Sequence, residues 1–334
     1  MEKRTKFIND PANVTKELLE GYVLAYSDIV RLGGENIIVR AEPKPEDKVA
    51  IVTLGGSGHE PALSGFVGKG MLDVSVVGDI FDAPYAPSIL EALRMMKRDV
   101  GILLVVLNHL GDVTRANEAF EIAKSEGIKV KWLLTHDDIS EGIDQPIENR
   151  RGLAGCIPLF KVLGAASEEG KSLDELLEIG ERFNKNIATL AVATRSCTHP
   201  QTNAIIAELP EGIMEIGMGQ HGEGGIGRLP ILSADETAEI MLSQILKQLK
   251  PKTGAKMMLI VNGVGATTQM ELNIVFRKAY KLLEEQGYMV VASRIDEILT
   301  VQEQAGFQII AGLMDDDHIY YYNKTANTPY WKTF

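Results

Sequence analysis

The chain reads as an α/β protein of two domains with mostly parallel sheets and a substrate site at the strand carboxyl ends between them. Three observations predict this. Short apolar, β-branched runs alternate with helical stretches along most of the chain. Its 334 residues make two cores the expectation, and the alternation restarts after residue 186. Glycine-rich turns follow several apolar runs, at the strand ends where open α/β sheets gather ligands.

In chain order, residues 15–25 have helical spacing through Leu18, Leu19, Tyr22 and Val23, and 41–48 is a charged, proline-containing loop. A strand over 49–54 enters the glycine turn of 55–61, with Pro61 where the first turn of a helix would begin. Strands are predicted over 72–77, 101–107 and 129–134, with helices over 87–96 and 112–127 between them. An acidic loop (136–148) leads to helices over 153–169 and 173–186, and the domain boundary is set there, dividing 1–186 from 187–334. The second half gives strands over 188–193 and 214–218, a glycine-rich stretch over 217–227, a helix over 234–248, a strand over 257–261 and a helix over 270–286. Strands over 288–292, 307–312 and 318–322 finish it.

Composition removes several function classes. The net charge of −12 argues against a nucleic-acid or anionic-membrane binder, since both need a basic face. Cys156 and Cys197, far apart, do not make a disulfide framework, which fits a reducing compartment. The start MEKRTKFIND has charge without a following apolar core, and no run is long enough to span a bilayer. The cytoplasm is the expected location.

The motif GGSGHEP at 55–61 brings backbone N–H groups and the His59 imidazole to one loop. It is not a Walker loop, because no Gly-Lys-Ser/Thr ends it. GMGQHG at 217–222 matches G-x-G-x-x-G, but three more glycines and a proline follow instead of a helix, so a dinucleotide reading fails. His221 is left as an accessible imidazole in a glycine-lined loop, suited to act as nucleophile or base. Asp112 suits a helix N-cap and also lies just past the end of an apolar strand. Cys197 and His199 in RSCTHP are too few for a metal site, and no metal is expected.

GGSGHEP, NHLGD at 108–112, RRGLAG at 150–155, GQHGEGG at 219–225 and NGVGATT at 262–268, in this order, resemble the dihydroxyacetone-binding (K) subunit of dihydroxyacetone kinases over essentially the whole chain. The resemblance implies a homodimeric subunit whose His221 bonds covalently to a ketose carbonyl as a hemiaminal. It implies that His59 and Asp112 bind substrate hydroxyls and act as acid and base, and that the backbone of Gly56, Ser57 and Gly58 lines the site. It also implies that this chain binds no cofactor, and that ATP/ADP with Mg sits on a separate L-type kinase subunit. The family includes non-kinase paralogues that act as transcriptional co-activators, which is the alternative. Two departures stand out: Leu107 occupies the position of a substrate-contacting lysine, and Leu54 replaces the first glycine of GGGSGHEP. The first leaves the ketose open between dihydroxyacetone and a tetrulose. The phosphoryl donor is open between ATP and a phosphotransferase-system partner.

Overall fold

The computed structural model describes residues 6–142 and 144–333, so the first half of the opening MEKRTKFIND lies outside the described residues. A first six-stranded sheet contains β1 (Val30–Gly34), β2 (Ile37–Arg40), β3 (Ala50–Ser57), β4 (Val74–Ile80), β5 (Ile102–Leu107) and β6 (Val130–Thr135), in the order β1-β2-β4-β3-β5-β6. Strands β4, β3, β5 and β6 run parallel, and β1 and β2 add an antiparallel edge. Helices α1 (Val14–Ala25), α2 (Ala86–Met95) and α3 (Leu110–Ser125) flank it.

Register places the site. Leu54 pairs with Val76 on one side and Val106 on the other, and β3 continues along β4 to Ser57 after its pairing with β5 has stopped. The chain leaves β3 towards β4 and leaves β5 towards β6. These opposite departures open a crevice between the carboxyl ends of β3 and β5, the switch point where doubly wound sheets bind ligands.

Two helices, α4 (Cys156–Glu168) and α5 (Leu173–Lys185), lead to the second sheet. Every residue of α4 from Cys156 to Ser167 is buried, as a helix apolar nearly all round requires. Its core joins Ile51, Leu103 and Val105 of the first sheet to Met258, Ile260 and Ile310 of the second. The second sheet contains β7 (Ile187–Arg195), β8 (Ile213–Ile216), β9 (Gly227–Pro230), β10 (Lys256–Gly263), β11 (Met289–Asp296) and β12 (Ala305–Leu313), ordered β11-β10-β12-β7-β8-β9. Helices α6 (Ala234–Leu249) and α7 (Gln269–Glu285) cover its far face against Leu259, Val261 and Ile309, while α2 and α3 cover the far face of the first sheet. The layers thus run helix, sheet, helix, sheet, helix. Serine or threonine with a glutamate three residues on closes a capping box at the start of α5, α6 and α7.

The structure departs from the sequence reading at several points. The second sheet is mostly antiparallel, with only β10 and β11 parallel. Strand β12 is buried on both faces, so its pattern resembles that of a parallel strand. The run 318–322 is not a strand but part of α8 (Asp316–Tyr322), because Asp315 accepts from the His318 N–H as an N-cap and two further acids occupy the first turn. No helix starts at Pro61; the chain turns and makes only a short 3₁₀ turn at Ser64–Phe66. Asp112 is not an N-cap: α3 begins at Leu110, and His109 holds the cap position. Strands β1, β2 and β9 are additions to the reading. Cys156 and Cys197 are both buried and unpaired, and among the described residues no helix is long and apolar enough to cross a membrane.

Candidate active site

The crevice holds a cavity of about 260 Å³, lined among others by Gly55, Gly56, His59, Leu107, Asp112 and His221. That is below the roughly 300–1,000 Å³ of drug-sized pockets and suits a small metabolite. It brings together His221, His59, Asp112 and Gly56 from three separate stretches of chain.

All the quoted motifs converge here. The carbonyl of Gly58 accepts from the N–H (3.3 Å) and the Nε2 (3.2 Å) of Gln302, and the Thr300 N–H donates to the His59 carbonyl at 3.1 Å. The segment that makes these bonds is fixed in turn by Asn262 of NGVGATT. Its Oδ1 accepts from the N–H groups of Ile298 (2.8 Å) and Leu299 (3.2 Å), and its Nδ2 donates to the Leu299 carbonyl at 2.8 Å. The arginine pair motif holds the His221 loop: Arg151 Nε lies 2.8 Å from Asp138, its Nη2 donates to the Gly217 carbonyl at 3.4 Å, and its Nη1 lies 3.8 Å from Glu223. Gly152 is needed for close approach, since a Cβ there would fall 2.0 Å from Thr135 Oγ1. Its carbonyl receives the His109 Nε2–H at 2.8 Å. The His221 loop closes between antiparallel β8 and β9, with Gly217 at φ +88° making the turn.

Hydrogen bonding fixes the tautomers. His59 Nδ1 faces the Thr300 carbonyl at 2.9 Å and must donate, so its Nε2 carries the lone pair. That Nε2 lies 3.3 Å from His221 Nε2. His221 Nδ1 lies 3.2 Å from a Glu223 carboxylate oxygen, which also accepts from the His221 N–H at 2.8 Å through its other oxygen. With Nδ1–H directed at Glu223, the reactive Nε2 of His221 faces His59 Nε2.

Burial dominates the electrostatics. It pushes His59 down to about 3, helped by neighbouring His221, and pushes His109 down to about 4, so both are neutral bases at neutral pH. It pushes the Asp112 carboxyl up to about 7; His221 pulls the other way and Asp82 adds to the rise. A carboxyl poised there suits a general base at neutral pH. Burial also works against ionised Glu223, but its hydrogen bond and charge interaction with His221, with backbone donors, hold it well below the usual carboxylate range.

Ser57 and Gly58 do not line the cavity. The Ser57 hydroxyl donates to the Gly78 carbonyl at 3.0 Å behind the strand, and the Gly58 N–H is taken by the Glu60 carboxylate at 3.0 and 3.1 Å. The sequence reading did not single out Glu223, Gln220 or Thr300. The first two sit inside GQHGEGG beside His221, and their roles depend on side-chain direction. Thr300 lies far from His59 in sequence and follows no motif. Leu107 is 5% exposed and does both things open to it: it packs in the core and lines the cavity. His109, His221 and Glu223 form the one group of possible metal ligands found among the described residues. The 4.0 Å from His109 Nδ1 to Glu223 exceeds the ~3.3 Å ligand spacing that ~2.0–2.1 Å bonds give around tetrahedral zinc.

The Dak1 domain model matches residues 20–330 of the chain. The chain belongs to the Dak1 family. This Dak1 chain is 37% identical over 331 residues to an L-erythrulose kinase of Pectobacterium atrosepticum, covering 97% of itself but 56% of that protein. It therefore spans only about half the length of that relative. It is 35% identical over 313 residues to the dihydroxyacetone-binding subunit DhaK of a PTS-dependent dihydroxyacetone kinase of Listeria innocua, covering 93% of this chain and 95% of that one. Among solved structures, the dihydroxyacetone kinase operon co-activator Dha-DhaQ superposes with a TM-score of 0.89 at 31% identity, over 95% of this chain and 98% of that one. Dak1 membership thus accounts for the fold and for the motifs gathered at the cavity.

Proposed function

We propose that this chain is the substrate-binding subunit of a dihydroxyacetone or related short-ketose kinase, holding the ketose as a hemiaminal on His221 for phosphoryl transfer from a separate L-type subunit. The observation that carries the reading is the facing pair of Nε2 atoms on His221 and His59, backed by Glu223 on one ring and the Thr300 carbonyl on the other. With one proton held between the facing Nε2 atoms, substrate entry lets it pass by way of His59 Nε2 as charge develops on the carbonyl oxygen, which frees the His221 lone pair to attack the carbonyl carbon. The carbon–nitrogen bond forms, the carbonyl π pair moves to oxygen, and His59 returns the proton there to give the hemiaminal hydroxyl. The imidazolium that remains keeps Nδ1–H towards ionised Glu223. Atoms and charge balance without a further reactant. Glycerol has no carbonyl and is excluded, a selectivity that hydrogen bonds to look-alike hydroxyls would not give. The fixed substrate presents a terminal hydroxyl to Asp112, which takes its proton as the phosphoryl group arrives. The phosphoryl donor, ATP with Mg or a phosphotransferase-system partner, is held by the partner subunit. The chain acts as a homodimer in the cytoplasm.

The close likeness to Dha-DhaQ supports a second reading, a ketose-binding co-activator with the same capture chemistry. Reconstitution with an L-type subunit separates the two: the kinase reading expects a phosphorylated ketose, and capture without turnover under any donor favours the co-activator. The same assay reads specificity. Leu107 gives an apolar wall where a lysine would give three donors. The expected result is a higher kcat/KM for an erythrulose enantiomer than for dihydroxyacetone, shifted towards dihydroxyacetone by Leu107→Lys. A preference for dihydroxyacetone that Leu107→Lys leaves unchanged removes this position from the specificity account.

A further inference from the structure

Of the buried polar side chains lining the cavity, His59 is tied to Thr300, whereas no hydrogen bond to protein among the described residues engages the side chains of Asp112 or Gln220. Asp112 has a part in the chemistry above. Gln220 has none. It is 3% exposed, it lines the cavity next to His221, and its Nε2 is buried without a partner. A buried amide left unpaired weakens a fold, and such groups persist where a ligand completes them. The carboxamide offers both a donor and an acceptor. That pairing matches an alcohol hydroxyl, which needs both, and gives nothing to a bare methyl group. Much of the remaining wall is apolar, formed by Ala62, Leu63, Leu107 and Leu299.

We propose that Gln220 is a substrate-binding residue: its carboxamide hydrogen-bonds the ketose hydroxyl at the end of the molecule away from Asp112. The inference rests on the ketose reading above and deepens it. His221 and His59 handle the carbonyl centre and Asp112 the hydroxyl to be phosphorylated. What is left of a short ketose is its other hydroxyl-bearing end, and Gln220 is the buried polar group left to receive it. A site with a buried hydrogen-bonding group rejects the analogue lacking that hydroxyl, because the protein group is then left unpaired. The site therefore recognises a polyhydroxylated ketone rather than ketones at large.

Calorimetry on the full chain with dihydroxyacetone and with hydroxyacetone, which lacks one terminal hydroxyl, tests this. Wild-type protein is expected to bind dihydroxyacetone at least about tenfold more tightly. In Gln220→Met the ratio is expected to collapse towards one, with a thermal midpoint equal to or above wild type because the unpaired amide is gone. An unchanged ratio in the variant, with dihydroxyacetone still bound, overturns the role of Gln220 and leaves the ketose reading standing. Equal wild-type affinity for the two ketones also overturns it, without recourse to any variant. Wild-type protein that binds neither ketone overturns both.

Discussion

Replacing Asp112 by asparagine is expected to abolish phosphoryl transfer while making the protein more stable at neutral pH. The amide cannot accept the substrate proton, so turnover falls by about 10²–10⁴-fold while capture on His221 persists. The stability gain follows from burial. Asp112 is 9% exposed, and its carboxyl is raised from 3.8 to about 7. Between those values the folded state holds a proton that the unfolded state has lost, so the wild type loses stability as pH rises through this window. Below it, both states are protonated and the residue has no linkage effect. Above it, the full penalty applies, at most about 4 kcal/mol for a shift of this size. The advantage of Asp112→Asn is thus absent near pH 4 and complete near pH 8. Denaturant midpoints of both proteins at about pH 4 and about pH 8 measure it. An equal difference at both pH values contradicts the burial account, and normal turnover in the variant removes Asp112 from the chemistry.

Asn262→Ala is expected to cost about 3–5 kcal/mol and to impair capture, although Asn262 does not line the cavity. The side chain is fully buried and satisfies two backbone N–H groups and one carbonyl of residues 298–299. Each group left unpaired costs about 1–3 kcal/mol. The segment it releases carries Thr300, whose carbonyl fixes the His59 tautomer. Denaturant titration gives the stability change, and the rate of ketose capture gives the effect on His59. A variant with wild-type stability and capture would show that the segment holds its place without Asn262.

Local chemistry made much of this site legible in the sequence. The glycine-rich end of β3, the acid near the start of α3 and the histidine between glycines are each encoded within a few residues, and the family resemblance joined them. What stayed hidden depends on distance or direction. Nothing near Thr300 marks it as the partner of His59, because the contact joins the last strands to the third. Asp112 looked like a cap because acids favour helix starts; the helix in fact begins at Leu110, which leaves the carboxyl buried instead of capping. HIYYY has strand composition, yet the acids before it start a helix. The antiparallel insertion of β12 between β10 and β7 could not be read, since burial on both faces erases the alternation that distinguishes the two sheet types.

The central claim is covalent capture on His221, and intact-protein mass spectrometry under mild conditions tests it directly. Wild-type protein incubated with dihydroxyacetone or an erythrulose should gain the full mass of one ketose, since addition to the carbonyl expels nothing, and His221→Ala should gain none. An unmodified wild-type mass with every ketose, or an adduct that persists in His221→Ala, would contradict the account.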